Sequence, residues 1–121
     1  FRLLTILPGL PHEAICCSQM TATLKDPPAY KTLSYAWGSP TRNHTVFVDN
    51  KKLLVTENLH TALLHLRNEQ RALCIWIDAI CINQQNLCER SQQVGMMRDI
   101  YKKSKRVYVW LGTPRTHARN L

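Results

Sequence analysis

Several things are missing from this 121-residue chain, and each absence removes a class of protein. No apolar run approaches the roughly 18 residues of a membrane-spanning helix, and no signal-peptide pattern opens the sequence. The five cysteines, Cys16, Cys17, Cys74, Cys81 and Cys88, contain no C-x-x-C pair and have no histidine partner at zinc-finger spacing. Such an odd set reads as reduced thiols, with Cys16 and Cys17 poorly placed for a disulfide within one strand, so a cytoplasmic setting is expected. The five histidines are dispersed, and none pairs with a carboxylate or thiol at metal-ligand spacing. Repeats and low-complexity segments are absent. Acidic residues are scarce too, 8 against 16 Lys and Arg, which leaves a net charge of +8. Such a surplus raises nucleic acid or acidic lipid as a partner. Its distribution argues against nucleic acid: Lys102, Lys103, Lys105 and Arg106 fall where a predicted helix ends and cations suit its dipole, the others are scattered, and no nucleic-acid motif accompanies them.

What is present is organised around residues 73–112. Residues 73–77 and 107–111 are short apolar runs rich in β-branched and aromatic side chains, the pattern of parallel strands buried on both faces. Between them Val94, Met97, Ile100 and Tyr101 recur at helical spacing, predicting a helix over about 87–104 with one apolar face. Strand, helix and strand make a right-handed βαβ crossover. Upstream, residues 2–7 and a segment within 14–24 read as strands, separated by Pro8, Gly9 and Pro11. Residues 31–36 give the next strand, ending before Gly38-Ser39-Pro40. Residues 46–48 and 53–55 form a hairpin with residues 49–52 at its tip, and Thr56 caps a helix over 57–67 whose apolar face is Leu59, Ala62, Leu63 and Leu66.

With the hairpin set aside, the order is βαβαβ. The expected fold is an α/β three-layer core of flavodoxin-like type, with N-terminal strands and an inserted hairpin added. At this length it is a single domain, 1–121, which starts at Phe1 rather than Met and is expected to be incomplete at its C-terminus. Ligands of such sheets bind beyond the carboxyl ends of the strands, so the loops starting at Trp37, Asp78 and Gly112 are the candidate site.

The segments RLLTILPG, YKTLSYAWGSP, VTENLHTALLHLR, CIWIDAICINQ, ERSQQVGMMRDIY and VYVWLG, in this order, resemble the heterokaryon-incompatibility (HET) domain of filamentous fungi along nearly the whole chain. The resemblance implies a fungal nonself-recognition effector that triggers programmed cell death when genetically unlike hyphae fuse. Its implied partners are other domains or proteins of an incompatibility system, together with self-association. A more distant resemblance is to Toll/interleukin-1 receptor (TIR) domains, some of which cleave NAD. YKTLSYAWG is similar to their first strand and glycine turn, CIWID to their second strand, residues 79–88 to their assembly loop and VYVWLG to their third strand. This implies NAD as a substrate rather than a resident cofactor. The TIR catalytic glutamate lies on a helix after the third strand, whereas residues 113–121 contain no Glu or Asp, so no residue here takes that role by correspondence. A non-catalytic module that signals by self-association and partner recruitment is the alternative.

Individual residues carry two readings each. Glu89 could stabilise positive charge on a ribose during N-glycosidic cleavage, or close a capping box with Asn86, the reading its spacing favours. Asp78 could bind a ribose hydroxyl or accept hydrogen bonds from its own turn. Asn83 and Gln84 suit a polar ligand or the ordering of the loop. Tyr35 and Trp37 share a strand face and could stack on a base or nicotinamide ring, or pack under the N-terminal strands; Gly38 allows a sharp turn and close approach of backbone to a ligand. Arg90, placed against the helix dipole, would suit an anionic partner or solvent, and Gly112 opens the third loop. Cys81 lacks a nearby basic group in sequence and reads as a packing residue, as Trp76 and Trp110 do.

Overall fold

The computed structural model describes residues 1–36, 38–82 and 87–112, without the side chains of Glu89, Arg90 and Gln93. Seven strands and three helices follow one another as β1 (Arg2–Ile6), β2 (Cys16–Thr21), β3 (Lys31–Tyr35), β4 (Arg42–Val48), β5 (Lys51–Thr56), α1 (Glu57–Leu66), β6 (Leu73–Trp76), α2 (Asp78–Cys81), α3 (Leu87–Lys103) and β7 (Val107–Trp110). Among these residues no helix is long and apolar enough to cross a membrane.

All seven strands join one mixed sheet in the order β5-β4-β2-β1-β6-β3-β7. β3 pairs in parallel with β6 on one side and β7 on the other, so the βαβαβ stretch forms a parallel trio with its first strand in the middle. The N-terminal strands are built into the sheet itself: β1 lies antiparallel to both β6 and β2 and links the trio to the β4–β5 hairpin. Leu3 and Leu4 of β1 are both fully buried, because a strand at the centre of a sheet has cover on each face.

Register fixes which face each helix covers. Tyr35 pairs with Trp110, and Thr32 with Trp76; Tyr35 and Thr32 are an odd number of residues apart on β3, so the two tryptophans lie on opposite faces. His65 of α1 packs on Trp110, ring centroids 4.6 Å apart, while Tyr101 of α3 meets Trp76 edge-on at 5.6 Å. The helices therefore cover opposite sides. α1 begins where Thr56 accepts a hydrogen bond from the Leu59 N–H, and it buries Leu59, Ala62 and Leu63. α3 is anchored near its end by the fully buried Ile100, whose carbonyl accepts the Tyr30 hydroxyl proton.

Four expectations need correction. β7 is an edge strand rather than one buried on both faces: Val107 and Val109 are 44% and 64% exposed, while Tyr108 and Trp110 pack inward. Val94 does not share the buried face of α3 and is 51% exposed. The hairpin is longer than its apolar cores indicate, and its turn is only Asp49-Asn50, both at positive φ (51° and 66°), which matches the twist of paired strands. Asp78 opens not a loop but the single-turn helix α2. The proposed capping box at Asn86 lies outside the described residues.

Candidate functional site

β3 and β6 run parallel, so their carboxyl ends meet at one edge of the sheet. Tyr35 is the last residue of β3, and Asp78 comes two residues after the end of β6. α2 is held there by hydrogen bonds from the Cys81 N–H to the Ile77 carbonyl (2.7 Å) and from the Ile82 N–H to the Asp78 carbonyl (3.2 Å). The Gln19 amide reaches from β2 and donates to the Ile80 carbonyl at 3.1 Å, fastening the turn to the sheet. Ile80 and Cys81 face the core, and that fixes the direction in which Asp78 leaves the turn.

Tyr35 and Asp78 line one cleft of about 420 Å³. The hairpin contributes Arg42 and Leu53, the start of α1 Thr56 and Leu59, and α3 Val94 and Met97. Burial raises the Asp78 carboxyl pKa above its ordinary value, against the lowering by hydrogen bonds from the Ala79 and Asp78 backbone. The phenols of Tyr35 and Tyr101 are both raised, first by burial and then by the Asp78 charge, and in Tyr35 the Arg42 guanidinium opposes the rise. The cleft thus offers a half-buried carboxyl group, a phenol and a guanidinium against an apolar wall. Such a mixture can seat a flat polar ring and stabilise positive charge beside it.

Of the residues singled out from sequence, Tyr35 and Asp78 are brought together. Gly38 and Gly112 do not line the cleft. Gly38 sits at φ +59°, and a Cβ there would stand 2.7 Å from the Asn58 side-chain nitrogen. That nitrogen donates to the Ala36 carbonyl at 2.9 Å, so the space beside Gly38 is filled by a side chain of α1. Gly112 follows β7 with a φ of 110°. Glu89 and Arg90 belong to the first turn of α3, but their side chains, and the whole of Trp37, Asn83 and Gln84, lie outside the described residues. Arg42, Leu53 and Thr56 were not anticipated as cleft residues. The available signal was the position of the hairpin, inserted after the carboxyl end of β3 and therefore beside the crevice.

Cys81 is fully buried, its sulfur accepts from the Ile77 N–H at 3.4 Å, and burial pushes its thiol pKa up to about 12. This is a packing thiol, as its sequence neighbourhood indicates. All five cysteines are free, and among the described residues no group of three His, Cys, Asp or Glu side chains could hold a metal.

The model of the family described as heterokaryon incompatibility protein (HET) matches residues 30–121, well over half of the chain. The chain belongs to the HET family. This HET domain is also 41% identical, over 92% of its length, to the Neurospora crassa protein described as heterokaryon incompatibility protein 6, OR allele, and spans 18% of that relative. No solved structure matches it. The part of the HET domain that the family model covers includes Tyr35, the hairpin, α1, Asp78 and α3, and so every wall of the cleft; β1 and β2 precede it.

Proposed function

We propose that this HET domain is the effector part of a fungal nonself-recognition protein, triggering programmed cell death by TIR-like cleavage of NAD in the cleft between Tyr35 and Asp78. The observation that carries the reading is the meeting of these two residues in one cleft at the carboxyl ends of the adjacent parallel strands β3 and β6, the edge of such sheets beyond which ligands bind. The Neurospora crassa relative's description as a heterokaryon incompatibility protein supports the biological role. The five unpaired thiols suit action in the cytoplasm.

In this reaction the bond between the nicotinamide nitrogen and ribose C1′ breaks, and its electron pair leaves with nicotinamide, cancelling the ring's positive charge. Positive charge develops on C1′ and the ribose ring oxygen. Asp78, partly removed from water, stabilises that charge as a carboxylate and takes the proton of the water that attacks C1′. Tyr35 supplies a face for the nicotinamide ring. By their sequence positions, Glu89 is the second carboxylate the reading assigns to the reaction, and Trp37, Asn83, Gln84 and Arg90 are its further ligand-binding candidates; Gly38 and Gly112 belong to the turns after β3 and β7.

The test is to incubate the concentrated protein with NAD and measure released nicotinamide for the wild type, Asp78→Ala and Glu89→Ala. Release that drops at least roughly 100-fold in Asp78→Ala is expected, the scale of a lost transition-state charge partner. Absence of release at every protein concentration refutes catalysis. Release that survives both substitutions refutes the residue assignment.

A second reading, a non-catalytic module that signals by self-association, draws on β7. Its exposed Val107 and Val109 are on the outermost strand, where a second chain could add to the sheet. Assembly without nicotinamide release, abolished by Val109→Lys, would select this reading.

A further inference from the structure

Beside the Asp78 cleft, and sharing Arg42, Leu53, Ala79 and Ile82 with it, runs a groove of about 500 Å³ between the hairpin and α2. Its lining is strongly basic. Arg2, Arg42, Lys51 and Lys52 are among its lining residues, with Asp49 the one carboxylate among the described ones.

The charges stand on a firmly held base. Asp49 and Asn50 form the two-residue turn, the Asp49 N–H donates to the Cys17 carbonyl at 2.9 Å, and the Gln19 N–H donates to the Asp49 carboxylate at 3.2 Å. The one acidic group is thus occupied by backbone, while Lys51 is set opposite Val48 by the strand register. Both lysines are exposed. The hairpin therefore brings Arg42, Lys51 and Lys52 to the groove, with its own carboxylate engaged by backbone. Arg42 lies on the boundary, lining both spaces and acting electrostatically on Tyr35.

A guanidinium forks onto two oxygens of one phosphate, and ammonium groups act as point charges on the next. Two adjoining clefts, one with an aromatic and apolar wall and one lined by cations, suit a molecule that is aromatic at one end and doubly anionic in its middle. We infer that the groove seats the pyrophosphate of a dinucleotide, with Arg42, Lys51 and Lys52 as its ligands, while the nicotinamide end lies against Tyr35 and Asp78. This inference rests on the NAD reading above and adds the residues that would give the site its affinity and its preference for a diphosphate.

The test is calorimetric titration of NAD, inorganic pyrophosphate and nicotinamide riboside into the wild-type chain and into Lys51→Gln/Lys52→Gln. Because both lysines are exposed, the variant should keep the wild-type melting temperature, and Lys52→Gln alone provides a milder second case. Pyrophosphate should compete with NAD, both should bind more weakly as salt rises, and both should lose roughly tenfold in affinity in the double variant. Nicotinamide riboside, which lacks the diphosphate, should bind both proteins equally. Equal binding of pyrophosphate to wild type and double variant overturns the inference, as does pyrophosphate binding without competition against NAD. The two proposals fail separately. Nicotinamide release with an unchanged KM in the double variant overturns the groove and leaves cleavage standing; lysine-dependent NAD binding without nicotinamide release supports the groove and refutes cleavage.

Discussion

Replacing Gly38 with alanine tests how the turn after β3 is held against α1. Two costs arise from the geometry. At φ +59° an L-residue other than glycine is disfavoured by about 1 kcal/mol. The new Cβ would also stand 2.7 Å from the Asn58 side-chain nitrogen, far inside contact distance, so the amide must swing away and release the Ala36 carbonyl. Losing that hydrogen bond costs about 1 kcal/mol. Gly38→Ala should therefore destabilise by about 2 kcal/mol and lower the urea midpoint by about 1 M. Asn58→Ala alone should cost about 1 kcal/mol, the hydrogen bond without the strain. In the double variant the clash has already been removed, so alanine at position 38 should add only its backbone strain, leaving the double variant about as stable as Gly38→Ala. The cycle should thus give a coupling of about 1 kcal/mol, read from urea unfolding followed by tryptophan fluorescence and far-UV circular dichroism. Strictly additive single effects, or a Gly38→Ala variant as stable as wild type, would refute the steric argument.

Two further predictions follow from burial. In native protein Cys16 and Cys88, both exposed, should be alkylated by iodoacetamide near neutral pH. Cys17 and Cys81, whose thiols are pushed up to about 12, should react only on unfolding; peptide mass spectrometry checks this, and early labelling of Cys81 would contradict its placement. The second concerns His60, whose ring lies 5.0 Å from that of His44 and whose pKa is lowered by burial, then by His44 and Arg67. The unfolded chain binds this proton more readily, so the stability is complete above the ordinary imidazole value of 6.5 and is lost as pH falls from there through the lowered folded-state value. Urea midpoints of His60→Gln should decline less over that window than those of wild type; parallel declines would show that His60 is not responsible.

The local elements were legible because their signals are local. Thr56 and the spacing of Leu59, Ala62 and Leu63 mark α1, and the β-branched and aromatic runs mark β3, β6 and β7. The sheet order was not legible. That β1 lies between β2 and β6 is decided by pairings such as Leu4 with Ile75, which no short window contains. The same cause explains β7: its apolar composition resembles that of a buried strand, and only its place at the edge leaves Val107 and Val109 in solvent. At the site, topology pointed to the loops starting at Trp37, Asp78 and Gly112; Asp78 lines the cleft, Gly112 does not, and Trp37 lies outside the described residues. Topology did not point to Arg42, because a hairpin treated as an insertion carries no information about which way it folds back over the crevice.

The position of β1 also bears on what counts as a unit of this protein. The family match begins at residue 30, after β1 and β2, yet those two strands carry the hydrogen bonding from β6 to β4. A piece cut at that boundary would divide a continuous sheet into a three-stranded parallel ribbon and a detached hairpin, bared along two new edges and joined chiefly through α1. The stretch most readily recognised by its sequence is therefore smaller than the body that must fold, and the cleft walled by the hairpin depends on residues outside the recognised stretch.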